Sequence, residues 1–134
     1  MSEISLQIDG KDVTVEDDAT LLDAAKIAGV SIPTVCHHEE LRPFGGCRLC
    51  AVKIKGMRGL PLACFTEAAE NMEVTSEDDE ILSARRMVMR LLLVDHPSDC
   101  LACPANLECK LQDLAYELGV RHHGMIPLEW RATV

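Results

Sequence analysis

The sequence predicts an α+β protein in two parts: a small mixed sheet carrying one helix over residues 1–75, and a helical lobe over 76–120, with a C-terminal tail at 121–134. Three observations lead there. Apolar residues alternate strictly at the N-terminus, apolar stripes recur at helical spacing further on, and seven cysteines fall into one group in each part.

Ile4, Leu6 and Ile8 share one face, Asp9-Gly10 is a tight-turn dipeptide, and Val13 and Val15 lead back, which predicts a hairpin. Thr20 with Asp23 forms a capping box, Leu21, Leu22, Ala25 and Ala28 make a helical stripe, and Gly29 suits its stop. From Ile32-Pro33 to Gly46 the pattern breaks into a loop, with Cys36 at its entry. Val52 and Ile54 then alternate with Lys53 and Lys55. Gly56 and Gly59 turn the chain back through Leu60 and Leu62, and Met72 and Val74 predict one more strand. Ser76 with Asp79 opens a second helix, whose acidic start and later Arg85, Arg86 and Arg90 agree with the helix dipole. Its expected buried stripe is Ile81, Ala84, Met87, Val88, Leu91 and Val94, and His96-Pro97 ends it. A loop through Cys100, Cys103 and Pro104 reaches a third helix, with Leu111, Leu114, Ala115 and Leu118 on one side and Gly119 as its cap.

At 134 residues the chain is the size of one ordinary domain or two small lobes. With only 3% aromatic residues, its core must be built from aliphatic side chains, and thin cores call for staples. The start Met1-Ser2-Glu3 has none of the regions of a signal peptide, and no apolar run approaches the roughly 20 residues that span a bilayer. A reducing, cytoplasmic setting is therefore expected, in which clustered cysteines bind metal more often than they form disulfides. The formal charge of −9 excludes nucleic acid as a partner and suits docking against basic patches on other proteins.

Cys36, Cys47, Cys50 and Cys64 read C-x10-C-x2-C-x13-C and lie in or beside loops of the sheet. Four thiolates are what a [2Fe-2S] rhombus requires, and Gly45 and Gly46 let backbone N–H groups approach it. A zinc ion with four cysteine ligands is the alternative, although zinc ribbons usually pair two C-x2-C knuckles and here there is one. His37 and His38 follow Cys36, but the second Cys and His knuckle of a Rieske site is absent, so both are read as solvent-side residues.

His96, Cys100, Cys103 and Cys109 supply one imidazole and three thiolates over 14 residues. A cubane needs one outward ligand per iron, and His96 is the neighbour able to complete the set. An open iron held by three cysteines, with His96 serving the helix end, is the rival. Imidazole in place of thiolate removes one negative charge and on that ground alone eases reduction.

These residues closely resemble the N-terminal iron-sulfur region of the complex I large (75 kDa-type) subunit family, as also found in NAD(P)-linked [FeFe] and [NiFe] hydrogenases and NAD-dependent formate dehydrogenases. The resemblance covers about residues 3–120 and rests on Ile32-Pro33-Thr34-Val35-Cys36, Gly46-Cys47-Arg48-Leu49-Cys50-Ala51-Val52, Ala63-Cys64, His96-Pro97-Ser98-Asp99-Cys100-Leu101-Ala102-Cys103 and the run from Cys109 to Glu117. It implies a β-grasp ferredoxin-like lobe holding a [2Fe-2S] cluster on the first four cysteines. It also implies a helical lobe holding a [4Fe-4S] cluster with His96 as the histidine ligand. Leu111 to Val120 looks more like the hydrogenase and formate dehydrogenase branch. Longer relatives continue into further cysteine-rich segments and a catalytic domain, so this chain is expected to be a small subunit or a truncation without a reaction centre of its own.

The resemblance implies an electron-transfer subunit, not an enzyme on its own, lying between a flavoprotein that oxidises NAD(P)H and a further iron-sulfur or catalytic subunit in a hetero-oligomer. An adaptor stapled by a redox-silent metal is the other class. Glu67, Glu70 and the acidic run from Glu77 to Glu80 are read as solvated surface and helix start, without catalytic work.

Overall fold

The structure, a computed structural model, describes residues 2–97 and 99–120, so the predicted tail lies outside the described residues. The protein is α+β. Its elements are β1 (Glu3–Ile8), β2 (Lys11–Glu16), α1 (Leu21–Ala28), β3 (Lys53–Ile54), β4 (Glu73–Thr75), α2 (Asp79–Val94), a 3-10 turn (Cys100–Ala102) and α3 (Lys110–Glu117). Two compact units divide within α2, between Arg85 and Arg86. Among the described residues, no helix is long and apolar enough to cross a membrane.

In the first unit, β1 and β2 form the expected hairpin with Leu6 opposite Val13. Asp9 and Gly10 have φ of 52° and 80°, the pair of left-handed residues whose turn matches the twist of the flanking strands. β1 runs parallel to β4, and β4 antiparallel to β3, giving a mixed sheet in the order β2-β1-β4-β3. On α1 the Thr20 hydroxyl accepts from the Asp23 N–H at 3.2 Å, and the Asp23 carboxylate accepts from the Thr20 N–H at 3.1 Å, so the capping box forms as expected. Leu21 and Leu22 then donate their N–H groups to the carbonyls of Thr66 and Ala63. The helix start is thus satisfied by the segment that carries Cys64. Leu21, Leu22, Ala24 and Ala25 bury their side chains in one core with Leu6, Ile8, Val13, Val15, Val52, Ile54 and Val74. Each fully buried Leu or Ile there contributes about 1.5–3 kcal/mol.

The start of α2 differs from the expectation. Asp78, not Ser76, caps it, accepting the Ile81 N–H at 2.7 Å. Ser76 is engaged elsewhere, donating its N–H to Asp9 Oδ1 at 2.8 Å and its hydroxyl to Asp9 Oδ2, because the carboxylate that closes β1 reaches it first.

The buried face of α2 also differs. It is Ile81, Arg85, Met89 and Leu93, whereas Met87, Leu91 and Val94 are exposed. An apolar count places Arg85 at the surface, but a guanidinium whose donors meet carbonyls can lie inside. The last turn of α2 carries no basic residue, so the arginines do not serve its dipole. In the second unit, Arg86 Nε donates to the Leu118 carbonyl at 3.0 Å, satisfying an orphan group at the end of α3. That helix begins after Cys109 and closes with Gly119 and Val120 donating N–H groups to Tyr116 and Ala115.

Candidate metal centres

All seven cysteines are unpaired thiols. In the first unit a short antiparallel ladder sets two of them side by side. Ala63 donates its N–H to the Cys50 carbonyl at 2.9 Å, and Val52 to the Pro61 carbonyl at 2.9 Å, which holds Cys50 against the strand leading into Cys64. Cys47, Cys50 and Cys64 are buried and Cys36 is half-buried. The Cys36 sulfur accepts the Cys47 N–H at 3.3 Å, so the far ends of the loop close on each other.

Burial acts to raise the Cys47 thiol, but N–H groups of Val35, Leu49 and Cys36 and the Cys36 side chain outweigh it and hold Cys47 below the ordinary thiol value. Those donors surround the sulfur of a thiolate and stabilise its charge. At Cys64 the balance is opposite. Burial pushes its thiol up to about 12, and its hydrogen bond to Cys50 with the charges of Cys50, Cys36 and Cys47 adds to the rise. Four thiols within reach of one another in a poorly hydrated loop repel when ionised. Such a donor set fits a polynuclear ferric centre, whose positive core offsets part of that charge.

Gly45 and Gly46 stand where close approach is needed. Gly45 has φ of 64°, and a Cβ added there would lie 2.9 Å from Leu62 Cδ1. His37 is half-buried and His38 exposed, each with part of its surface open to solvent. The His37 Nδ1 is enclosed without a hydrogen-bond partner, and the His38 Nδ1 accepts the Glu40 N–H at 3.2 Å.

In the second unit His96, Cys100, Cys103 and Cys109 all line one cavity of about 590 Å³, whose apolar wall includes Leu93, Ala115 and Val120. The 3-10 turn presents Cys100, and the Cys103 N–H closes it on the Cys100 carbonyl at 3.1 Å. Gln112 secures the remaining loop: its Oε1 accepts the Leu107 N–H at 2.9 Å and its Nε2 donates to Asn106 Oδ1 at 2.9 Å. Leu107 has φ of 69°, which an L-residue adopts only when held. Among the described residues, no group of three or more His, Cys, Asp or Glu side chains is arranged to hold a metal ion.

Sequence reasoning missed Arg85 and Gln112. Arg85 is 3% exposed and donates to three carbonyls, those of Leu49, Ala51 and Ser76. Nothing local marks either residue, because both act on loops distant in sequence or through a turn whose path the sequence leaves open.

A mixed sheet with four cysteines in and beside its loops, followed by a helical unit whose cavity is lined by three cysteines and a histidine, agrees with the iron-sulfur class that the family matches show. Residues 1–79 match the family described as the 2Fe-2S iron-sulfur cluster binding domain, and the chain belongs to that family. Residues 85–123 match the NADH-ubiquinone oxidoreductase-G iron-sulfur binding region. The protein accordingly carries one [2Fe-2S] and one [4Fe-4S] cluster.

Among its relatives is the NADPH-Fe(3+) oxidoreductase subunit alpha of Geobacter sulfurreducens, 44% identical over 87% of this chain and 14% of that protein. The NADP-reducing hydrogenase subunit HndD of Solidesulfovibrio fructosivorans is 43% identical over 90% of this chain and 22% of its own length. The mitochondrial 78 kDa subunit of NADH-ubiquinone oxidoreductase from Candida albicans is 34% identical over 89% of this chain and 16% of its own. A crystal structure of an NAD+-reducing [NiFe]-hydrogenase in the H2-reduced state superposes with a TM-score of 0.83 at 29% identity, covering 90% of this chain and 51% of that one. The chain thus spans between 14% and 22% of these curated relatives.

Proposed function

We propose that the chain relays single electrons within an NAD(P)-linked oxidoreductase complex. Cys36, Cys47, Cys50 and Cys64 hold the [2Fe-2S] cluster in a β-grasp ferredoxin-type lobe, and His96, Cys100, Cys103 and Cys109 hold the [4Fe-4S] cluster in a helical lobe. The observation that supports this reading is the cavity lined by His96 and the three C-terminal cysteines. Bound in these places, the clusters supply one-electron chemistry that side chains alone do not.

The residues position and shield. The N–H groups around Cys47 stabilise negative charge, and Leu93, Ala115 and Val120 form an apolar wall beside the second site. Leu41, Phe44 and Phe65, exposed in the loops that carry the first cysteine set, give an apolar face for a partner. Leu101, Leu107 and Tyr116 do the same in the second unit. The partners are a flavoprotein subunit that oxidises NAD(P)H and a further iron-sulfur or catalytic subunit. The role is the same whether the segment works as a separate subunit or within a longer chain.

The test is anaerobic loading of the full chain with iron and sulfide. Binding of about six irons is expected, two and four from the two cluster types. His96→Ala is expected to alter the [4Fe-4S] paramagnetic resonance signal and leave the [2Fe-2S] signal unchanged. Two irons only removes the second ligand set, and an unchanged spectrum in His96→Ala removes His96 from it. A colourless zinc-loaded protein replaces the relay with a metal-stapled adaptor.

A further inference from the structure

Arg85 is the one buried cation among the described residues of the core, and its position is specific. Its Nε donates to the Leu49 carbonyl at 3.0 Å and its Nη2 to the Ala51 carbonyl at 3.0 Å, the two carbonyls that bracket Cys50. The same Nη2 donates to the Ser76 carbonyl at 2.7 Å, just beyond β4. Leu49 on one side of Cys50 and Val52 beyond it are both fully buried. The guanidinium therefore fastens the turn that carries a proposed ligand to the end of the sheet.

Three neutral acceptors engage three of its five N–H donors without discharging it. Burial acts to lower the Arg85 proton affinity, while Glu77, Cys50, Asp9 and Asp78 act to raise it, in that order. Arginine remains charged in proteins under such opposition. Cys50 therefore lies within electrostatic reach of a fixed positive charge. Of the three carboxylates, Asp9 is already hydrogen-bonded to Ser76, and Asp78 to Lys53 and the Ile81 N–H. None of the described carboxylates forms an ion pair with Arg85.

A [2Fe-2S] centre with four thiolate ligands is a dianion when oxidised and a trianion after one electron is added. A buried cation beside it favours the more negative state, and burial protects that effect from salt screening. We propose that Arg85 is a positioning residue that also sets the potential of the first cluster, holding the Cys50 turn by its flanking carbonyls and stabilising the added electron by its charge. This rests on the proposed placement of the [2Fe-2S] cluster on Cys36, Cys47, Cys50 and Cys64.

The test is a redox titration of the loaded full-length chain with dithionite, reading the [2Fe-2S] resonance signal, in the wild type, Arg85→Gln, Arg85→Lys and the exposed control Lys11→Gln. Arg85→Gln is expected to shift the reduction equilibrium at least tenfold toward the oxidised form, which is 59 mV for a one-electron couple. Arg85→Lys, which keeps the charge, is expected to stay within threefold of wild type, as is Lys11→Gln. A fully loaded Arg85→Gln with an unchanged potential overturns the proposal. So does an Arg85→Lys shifted as far as Arg85→Gln, because the hydrogen-bonding fork then accounts for the residue without its charge. If Arg85→Gln does not retain iron, Arg85→Lys decides: loading with a near-wild-type potential supports the proposal, and failure to load overturns it. A wild type with no [2Fe-2S] signal instead overturns the underlying placement.

Discussion

Replacing Gly45 by alanine puts a methyl group where the loop before Cys47 has no room for one. The residue has φ of 64°, a conformation that costs an L-residue about 1–2 kcal/mol. The new Cβ would also sit 2.9 Å from Leu62 Cδ1, a separation that forces one of the two to move. The atom met is the far end of the Leu62 side chain, so the contact is relieved by a change of rotamer costing about 0.5–1.5 kcal/mol. Because Leu62 packs on the core, pairs with Ala51 and stands two residues before Cys64, that change disturbs packing beside Cys50 and Cys64. Gly56 supplies a matched control, since it has φ of 85° and nothing within 4 Å of an added Cβ. Both substitutions therefore carry a similar backbone cost, and only Gly45→Ala adds the contact. Loss of [2Fe-2S] absorbance from the loaded protein under chelator, with thermal melting alongside, separates the two. Gly56→Ala is expected to lower the melting temperature and leave cluster loss near the wild-type rate. Gly45→Ala is expected to speed cluster loss by about tenfold, corresponding to about 1.4 kcal/mol. Equal rates of cluster loss in the two variants would refute the view that Leu62 couples the glycine loop to the ligand strands.

Two further outcomes follow from the hydrogen bonds of Gln112 and Asp9. Gln112→Ala removes both bonds that fix the Asn106–Leu107 corner, so iron release from the [4Fe-4S] site is expected to accelerate while the [2Fe-2S] signal persists; absorbance and resonance followed together under chelator check this. Asp9→Ala leaves the buried Ser76 N–H and hydroxyl without their acceptor, costing about 1–3 kcal/mol for each group stranded. Ser76→Ala alone removes less, and urea melts of the double variant are expected to show non-additivity of about 0.5–3 kcal/mol; strict additivity would deny the link between β1 and the entry to α2.

Much of the local structure was legible because its causes are local. The Asp9-Gly10 turn, the Thr20–Asp23 box and the Gly119 cap each depend on residues within four positions of one another, and each formed as read. The two cluster types were legible for another reason: clustered cysteines with a nearby histidine point to metal, and the motifs around them resemble a known iron-sulfur family, which implied [2Fe-2S] and [4Fe-4S] where spacing alone left zinc open. Where periodicity was the guide and the burial pattern depended on partners, the reading failed. On α2 it selected Met87, Leu91 and Val94, which are exposed, over Met89 and Leu93, which are buried.

The α+β class, the hairpin and the caps of α1 and α3 follow from neighbouring residues, and the two iron-sulfur clusters from motifs that resemble a known family. Only the tertiary structure decided how residues remote in sequence share a site. It set Cys50 beside Cys64 through a ladder of backbone hydrogen bonds, enclosed His37, and gathered His96 with three cysteines around one cavity. It also turned Arg85 inward to the carbonyls of Leu49, Ala51 and Ser76. A charged residue reads as surface until acceptors are placed around it, and those acceptors are backbone carbonyls whose directions exist only in the folded chain.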